Sequence, residues 1–214
     1  MTPLVIIGAG GFGREVHDVV EAVNLEEKTA GISRFDFVGF LDDGPVDRDL
    51  IADRGPLLGG IDVLAELPLD VEYVIGIGSP TARRRIDELA GHRGAATLIH
   101  PTATIGEHRM VIGPGAIICS HVSITTNVTL GRHVHLNLNC TVGHDAILGD
   151  YVTVNPGATI SGNVTLQDGV NIGTGAAVIQ GKTVGAGSTI GAGASVVRDI
   201  PPGVTAVGVP ARPR

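Results

Sequence analysis

The chain has 214 residues, of which 43% are apolar but only 3% aromatic, and its formal net charge at pH 7 is −7. The length allows one large domain or two small ones, and the negative charge argues against broad nucleic-acid binding but not against binding of small anions by backbone amides. Because there are 32 glycines and no tryptophan, the core is expected to consist of Val, Ile, Leu and Ala, with many tight turns.

Residues 1–99 are predicted to alternate short strands with helices. The stretch PLVIIGAGGFGREVHDVVEAV indicates a strand, a glycine turn and a helix whose apolar residues recur at helical spacing: Val16, Val19, Val20 and Val23. FDFVGFLDD, EYVIGIGSP and AATLIHP are predicted strands, TARRRIDELAGH is a predicted helix, and residues 44–60 resemble a long loop. This alternation predicts an α/β, Rossmann-like domain with a small parallel sheet.

A second periodicity begins at Ile112. Every sixth residue from Ile112 to Val196 is aliphatic, over fifteen consecutive positions. This hexapeptide repeat is typical of a parallel β-helix, in which three hexads close one triangular coil and the aliphatic residues of successive coils stack on one another. Ile105 precedes Ile112 by one residue more than the hexad spacing, so residues 100–111 are expected to form an imperfect entry coil with a slip near Arg109.

These periods divide the chain into three predicted parts. They are an α/β domain over 1–99, a β-helix of about five coils over 100–200, and a C-terminal tail over 201–214. Cys119 and Cys140 are too few for a disulfide framework. No apolar run matches a membrane span, and MTPLVII lacks the features of a signal peptide, so we expect a reduced, cytoplasmic protein.

Five stretches of the sequence resemble the sugar acetyltransferases of the NeuD/PglD type. They are GAGGFGREV (8–16), FLDD (40–43), LIHPTATIG (98–106), LNLNCTVGHDAILGDYVTV (136–154) and GVTAVGVPAR (203–212). The resemblance implies left-handed coiling, acetyl-CoA as cosubstrate, homotrimers with active sites between neighbouring β-helices, and N-acetylation of nucleotide-linked amino sugars or O-acetylation of sialic acids.

The pair His144 and Asp145 is the candidate catalytic centre. A histidine followed by an acidic residue is the base in the similar family, and imidazole accepts a proton near neutral pH. The hexad frame places Gly162 one coil above His144, about 4.8 Å away. A glycine there leaves room beside the ring, and a nearby backbone N–H is expected to stabilise the oxyanion. Without the resemblance, the alternative is a solvent-facing histidine at a corner, where polar residues are common.

Other residues of the β-helix are expected to bind the two substrates. The resemblance implies that Asn137 lies near the acceptor sugar and that the later coils and tail hold CoA, including Gly173, Gly191, Gly208 and Pro210. Many relatives carry a second histidine nine positions after the base, where it contacts the acetyl donor. Thr153 stands at that position here, so the sequence departs from the pattern at the expected donor site.

The glycine turn GAGGFG fits G-x-G-x-x-G between a strand and a helix. An acidic residue about 20 positions further on, which NAD binding requires, is absent because Asp42 and Asp43 come later. We therefore expect Gly8, Gly10, Gly11 and Gly13 to cradle a nucleotide phosphate. The resemblance implies that Asp42 and Asp43 face the nucleotide, and a turn with two solvated acids is the alternative. The triplet Arg83–Arg85 is expected to be a solvated helix face, with a phosphate clamp as the alternative.

The histidine spacing argues against a metal. A carbonic-anhydrase-type zinc site needs two histidines five positions apart, but Gly149 lies five after His144, and His133 and His135 are two apart. Together with the family resemblance, which implies acetyl transfer to an amino group, this predicts a metal-independent reaction by direct attack with His144 as base. A sialic acid O-acetyltransferase and a non-catalytic β-helix scaffold are the alternatives, and the sequence leaves the nucleotide open between UDP, dTDP and GDP.

Overall fold

The computed structural model describes residues 1–28 and 34–214, which divide into two compact units, Met1–Pro101 and Thr102–Arg214. The boundary of the units lies just beyond the predicted end of the α/β domain. Within the described residues, no helix is long and apolar enough to cross a bilayer.

The first unit is an α/β fold, as the strand and helix alternation predicts. Its strands β1 to β4 form one parallel sheet in the order β3-β2-β1-β4. Helix α1 buries Val16, Val19, Val20 and Val23, which confirms the predicted face. The elements are β1 (Thr2–Ile7), α1 (Gly11–Lys28), β2 (Phe35–Leu41), β3 (Leu57–Gly59), a 3₁₀ helix (Ile61–Ala65), β4 (Glu72–Ile75), α2 (Pro80–Ala90) and β5 (Leu98–Ile99).

Two predictions for this unit were wrong. The stretch 44–60 is not loop throughout, because Leu57–Gly59 forms the edge strand of the sheet. Arg83 is not on a solvated face: it is fully buried, and its Nη1 donates to the carbonyl oxygens of Ile77 at 3.1 Å and Gly78 at 2.9 Å. The long side chain therefore holds the loop between β4 and α2, while Arg84 and Arg85 are exposed as predicted.

The second unit is a parallel β-helix, and the regular part of its repeat contributes five strands to each of three faces. Neighbours in each stack are one coil of three hexads apart, as in the pairs Thr141 with Thr159 and Val142 with Ile160. Face one has β7 (Val111–Ile112), β10 (Thr129–Leu130), β13 (Ile147–Leu148), β16 (Thr165–Leu166) and β19 (Thr183–Val184). Face two has β8 (Ile117–Ile118), β11 (His135–Leu136), β14 (Thr153–Val154), β17 (Asn171–Ile172) and β20 (Thr189–Ile190). Face three has β9 (Ser123–Ile124), β12 (Thr141–Val142), β15 (Thr159–Ile160), β18 (Ala177–Val178) and β21 (Ser195–Val196).

The two ends of the β-helix depart from this repeat. The entry strand β6 (Thr104–Ile105) pairs with β9 in the register Thr104 to Ser123, one position longer than a regular coil, which confirms the predicted slip. At the other end, β22 (Thr205–Val207) continues face two beyond β20, and β23 (Arg212–Pro213) pairs antiparallel with β22. The segment predicted as a tail therefore closes the last coil.

The corners between faces share one backbone feature. From Gly115 to Gly193, every sixth residue has a positive φ, between 51° and 74°. Glycine, asparagine and aspartate tolerate this left-handed conformation best, because short polar side chains bond locally or no Cβ is present. Asn127, Asp145 and Asn163 occupy this position in three successive coils, on the edge between faces three and one that we call the His144 edge.

Candidate active site

His144 and Asp145 lie together on the His144 edge, directly after β12. The Nδ1 of His144 is 2.7 Å from Oδ2 of Asp145, and the two side chains are 50% and 44% exposed. Asn127, one coil away, donates from Nδ2 to the other carboxylate oxygen, Oδ1, at 3.0 Å.

These two bonds favour the ionised form of Asp145 and determine the tautomer of a neutral His144 ring. The hydrogen bond from His144, and then the one from Asn127, hold the pKa of Asp145 below its ordinary value, so the carboxylate is ionised at neutral pH. An ionised carboxylate only accepts hydrogen bonds, which places the proton of a neutral His144 ring on Nδ1. Nε2 is then left with its lone pair, as a general base requires.

Gly162 lies against the imidazole ring, as the hexad frame predicts. A Cβ built on Gly162 would be 2.4 Å from Nε2 of His144, so only glycine fits beside the ring in this orientation. The N–H of the next residue, Asn163, donates to the His144 carbonyl at 2.8 Å. Gly162 is buried beside the ring, and across the described residues its N–H has no acceptor.

Asn137 and Thr153 lie elsewhere on the β-helix. Asn137 follows β11 on the edge between faces two and three, which we call the Asn137 edge, and its Nδ2 is 3.5 Å from Oδ1 of Asn155. Thr153 is buried on face two, paired with His135 and Asn171 in the strands on either side. Face three separates the Asn137 edge from the His144 edge, so one protomer does not bring these residues to His144.

The residues expected to bind CoA follow the Asn137 edge. Gly173 and Gly191 lie two and three coils beyond Asn137, and a Cβ on Gly173 would be 2.7 Å from the carbonyl carbon of Gly191. Gly208 accepts at its carbonyl from the N–H of Ser195 at 3.1 Å. Pro210 follows in the exposed turn that returns to the same strand. The edge therefore carries no side chain at Gly173 and Gly191, where the coils stack closely.

The glycine turn of the first unit is built for close packing at two of its four positions. Gly8 has a φ of +106°, and a Cβ on Gly13 would be 1.9 Å from the Gly8 carbonyl oxygen. At Gly10 and Gly11, by contrast, an added Cβ would meet no atom within 4 Å. The open side of the turn is therefore at Gly10 and Gly11, where α1 begins.

Asp42 and Asp43 hold the loops around this turn. The Oδ2 of Asp42 accepts from the Ala9 N–H at 2.7 Å and its Oδ1 from Gly44 at 2.8 Å. The Oδ1 of Asp43 accepts from the Ile61 N–H at 2.7 Å. Both carboxylates therefore bond to the backbone rather than only to solvent, and the Ala9 N–H is already engaged.

Among the described residues, one group of three potential metal ligands lies together: His17, Asp18 and Glu21. Arg54 makes an ion pair with Asp18, and its Nη1 lies 3.3 Å from Nδ1 of His17. The guanidinium therefore occupies the place where a cation would bind. Elsewhere, the ring of His133 stacks on Tyr151 with centroids 5.9 Å apart, and the thiols of Cys119 and Cys140 are buried and reduced.

The sequence reasoning did not single out Asn127. The signal was present in the hexad frame, because Asn127 precedes Asp145 by one full coil. Its amide could not be assigned to Asp145 before the corner conformations of both residues were known.

Comparisons with known proteins agree with both units. Residues 3–89 match the family model described as the PglD N-terminal domain. The chain is 36% identical over 148 residues to the GDP-perosamine N-acetyltransferase of Escherichia coli O157:H7, an alignment that spans 65% of this chain and 61% of that relative.

Solved structures match over the full length. The acetyltransferase domain of PglB from Neisseria gonorrhoeae FA1090, in complex with acetyl coenzyme A, is 35% identical with a TM-score of 0.86 and covers 100% of this chain and 99% of its own. PerB from Caulobacter crescentus, in complex with CoA and GDP-perosamine, is 28% identical with a TM-score of 0.82, covering 99% and 97%. The chain therefore belongs to the NeuD/PglD-type family of hexapeptide-repeat sugar acetyltransferases.

Proposed function

We propose that this protein transfers the acetyl group of acetyl-CoA to an amino group of a nucleotide-linked amino-deoxysugar. The observation that carries the proposal is the His144 ring, held at Nδ1 by an ionised Asp145 and lying against Gly162 with Nε2 free. Family membership supports the donor, and the relatives whose names contain GDP-perosamine support an amino-sugar acceptor.

In the proposed reaction, the lone pair of the sugar amine attacks the carbonyl carbon of the thioester. Nε2 of His144 accepts the amine proton, and the Gly162 N–H stabilises the oxyanion that forms. The C–S bond then breaks, and the CoA thiolate leaves and takes the proton from the imidazolium ring. Asp145 stabilises that imidazolium and fixes the reactive tautomer.

No acyl-enzyme is required in this sequence, and the cysteines support direct attack. Burial, with a smaller contribution from Cys119, raises the pKa of Cys140 to about 12. A thiol that stays protonated at neutral pH is a poor nucleophile. Rapid mixing with acetyl-CoA alone is therefore expected to give no acetylated protein in an intact-mass spectrum.

We also propose that the enzyme is a homotrimer with sites between neighbouring β-helices. Within one protomer, His144 lies on one edge, whereas Asn137, Gly173 and Gly191 lie on another, with face three between them. Packing the Asn137 edge of one protomer beside the His144 edge of the next would unite the base with the proposed acceptor and CoA residues. Sedimentation equilibrium is expected to give the mass of three chains.

For the first unit, we propose that the nucleotide binds at the carboxyl ends of β1, β2 and β4. Ligands of open parallel sheets bind in the crevice at the point where the strand order reverses. Here that point is β1, because the chain continues to β2 on one side of it and places β4 on the other. Gly10 and Gly11 present an open backbone at the start of α1, suited to a phosphate, and Asp42 and Asp43 lie after β2.

A thiol-release assay with a panel of acceptors tests the proposal. GDP-perosamine, and dTDP- and UDP-linked 4-amino-4,6-dideoxysugars, form the first arm, and sialic acid forms the second. Release of CoA with an amino sugar, and its loss in His144→Ala, is the expected result. Turnover with sialic acid alone would indicate O-acetylation, and no turnover with any acceptor would favour a non-catalytic scaffold. A thermal-shift panel of UDP, dTDP and GDP identifies the nucleotide, because a ligand that binds only the folded state raises the Tm.

A further inference from the structure

The two oxygens of Asp145 have different partners. Oδ2 faces His144, and Oδ1 accepts from the amide of Asn127 at 3.0 Å. Asn127 and Asp145 occupy the same corner position in successive coils, with φ of 57° and 60°. The N–H of Asp145 also donates to the Thr126 carbonyl at 3.1 Å, so backbone and side chain both join the two coils.

We propose that Asn127 is a positioning residue that aims Asp145 at His144, an inference that rests on the proposed function. The carboxylate of Asp145 is 44% exposed and has no buried packing to fix its orientation. With Oδ1 held by the Asn127 amide, the remaining oxygen points at Nδ1 and keeps the ring in the tautomer with Nε2 unprotonated. Asn127 itself does not touch the reacting atoms in this account.

The surroundings of Asn127 orient its amide. Its N–H donates to the His108 carbonyl at 3.0 Å, and the Thr126 hydroxyl lies 3.4 Å from its Oδ1. With Oδ1 on the Thr126 side, the NH₂ group faces the carboxylate of Asp145, where only a donor is useful.

The corner geometry does not by itself explain an asparagine at this position. Arg109 and Gly181 occupy the same corner in other coils of the His144 edge, with φ of 52° and 69°. Asn163, one coil beyond Asp145, has an exposed side chain with no hydrogen-bond partner among the described residues. Asn127 therefore differs from Asn163 not in its backbone conformation but in the hydrogen bond that its amide donates to Asp145.

The test variant is Asn127→Gly, because glycine keeps the left-handed corner without strain while removing the amide. Asn139→Gly, at an exposed corner with φ of 58°, is the reference for the effect on Tm. We expect Asn127→Gly to match the Tm of that reference and to lower kcat about 10-fold, with KM for acetyl-CoA unchanged. In an Asp145→Gly background, the same change is expected to have no further effect on kcat, since Asn127 acts through Asp145.

A second readout needs no substrate. The ¹⁵N shifts of the His144 ring, assigned by comparison with His144→Gln, report which nitrogen carries the proton in the neutral form. We expect mainly Nδ1–H in the wild type and a mixture of tautomers in Asn127→Gly. If the tautomers change in this way but no acceptor is acetylated, the positioning role stands and the proposed function fails. An unchanged tautomer ratio, or an effect on kcat that is fully additive with Asp145→Gly, would overturn the positioning role.

Discussion

The two units of this chain differ in how far a residue's number determines its surroundings. In the β-helix, a step of three hexads along the chain gives the neighbour above and below, so Gly162 can be placed beside His144 before any coordinates are known. In the α/β unit no such rule exists, and a charged helix residue such as Arg83 is completely buried. In a regular repeat, a residue that departs from the pattern can be recognised in the sequence. In the α/β unit, which has no such repeat, it cannot.

The two units also differ in what their polar side chains do. The β-helix presents its candidate base on a corner where the backbone is fixed by ladder hydrogen bonds on both sides. The α/β unit uses its two acids, Asp42 and Asp43, to tie loops together at the end of the sheet.

The largest effect is expected at the candidate base. Replacing His144 with alanine removes proton acceptance from the attacking amine, and kcat is expected to fall about 10²- to 10⁴-fold. His92→Ala, an exposed histidine of the α/β unit, is the control and is expected to keep wild-type kcat. Steady-state CoA release measures both. A His144→Ala variant that retained wild-type turnover would remove this residue from the mechanism.

The next effect concerns the stacked interior of the β-helix. Ile172 is fully buried, and truncation to alanine is expected to lower the free energy of unfolding by about 2–5 kcal/mol. Ile179, which is 41% exposed, is expected to tolerate the same change within about 0.5 kcal/mol. Urea denaturation followed by circular dichroism compares the two. Equal losses would show that inward and outward positions are not distinguished by the repeat.

A smaller effect is expected at the buried arginine. Arg83→Met removes two hydrogen bonds to the loop after β4 and leaves the carbonyls of Ile77 and Gly78 without that donor, at a cost of about 1–3 kcal/mol. Its exposed neighbour provides the control, because Arg84→Met is expected to change stability by less than about 0.5 kcal/mol. If both variants unfold at the same urea concentration, the burial of Arg83 has no energetic consequence.

The smallest effect is a pH dependence of the α/β unit. Burial lowers the pKa of His17 from its ordinary value of 6.5, against the opposing influence of Glu21. The unfolded chain therefore binds the proton more readily than the folded one, so stability is complete above pH 6.5 and falls as the pH drops below it. Melting curves from about pH 7.5 to about pH 5.5 are expected to show a shallower decline for His17→Gln. The same slope in both proteins would contradict this assignment.

Much of the β-helix could be predicted from the sequence because its periodicity is a physical constraint. An inward position that lacked an aliphatic residue would leave a cavity in the stack. The fifteen hexads therefore predict the coil boundaries, the slip before Ile112 and the residue that lies beside His144. In the α/β unit, the face of α1 followed from the helical spacing of its valines, and strand β3 was missed because it has only three residues.

The parts of the site that sequence could not assemble depend on geometry in three dimensions. Asn137 was expected near the acceptor sugar and Thr153 at the acetyl donor. In one protomer Asn137 lies across face three from His144 and Thr153 lies on face two, so whether they meet His144 depends on how protomers pack. The hydrogen bond from Asn127 to Asp145 could not be predicted, because it depends on the left-handed conformation of both corner residues. The hydrogen bond from the Ala9 N–H to Asp42 could not be predicted, because it depends on β2 lying beside β1.

The central claim is that the β-helix keeps His144 against Gly162 for acetyl transfer, and a methyl group at Gly162 tests it most directly. In Gly162→Ala, the new Cβ would lie 2.4 Å from Nε2 of His144. Because the His144 side chain is 50% exposed, its ring should swing outward without unfolding the coil. Gly187→Ala, at another corner with a φ of +67° and no atom within 4 Å of the new Cβ, is the matched control. We predict that Gly162→Ala lowers kcat about 10²-fold with little change in Tm, whereas Gly187→Ala lowers Tm and keeps kcat. Wild-type kcat in Gly162→Ala would contradict the account.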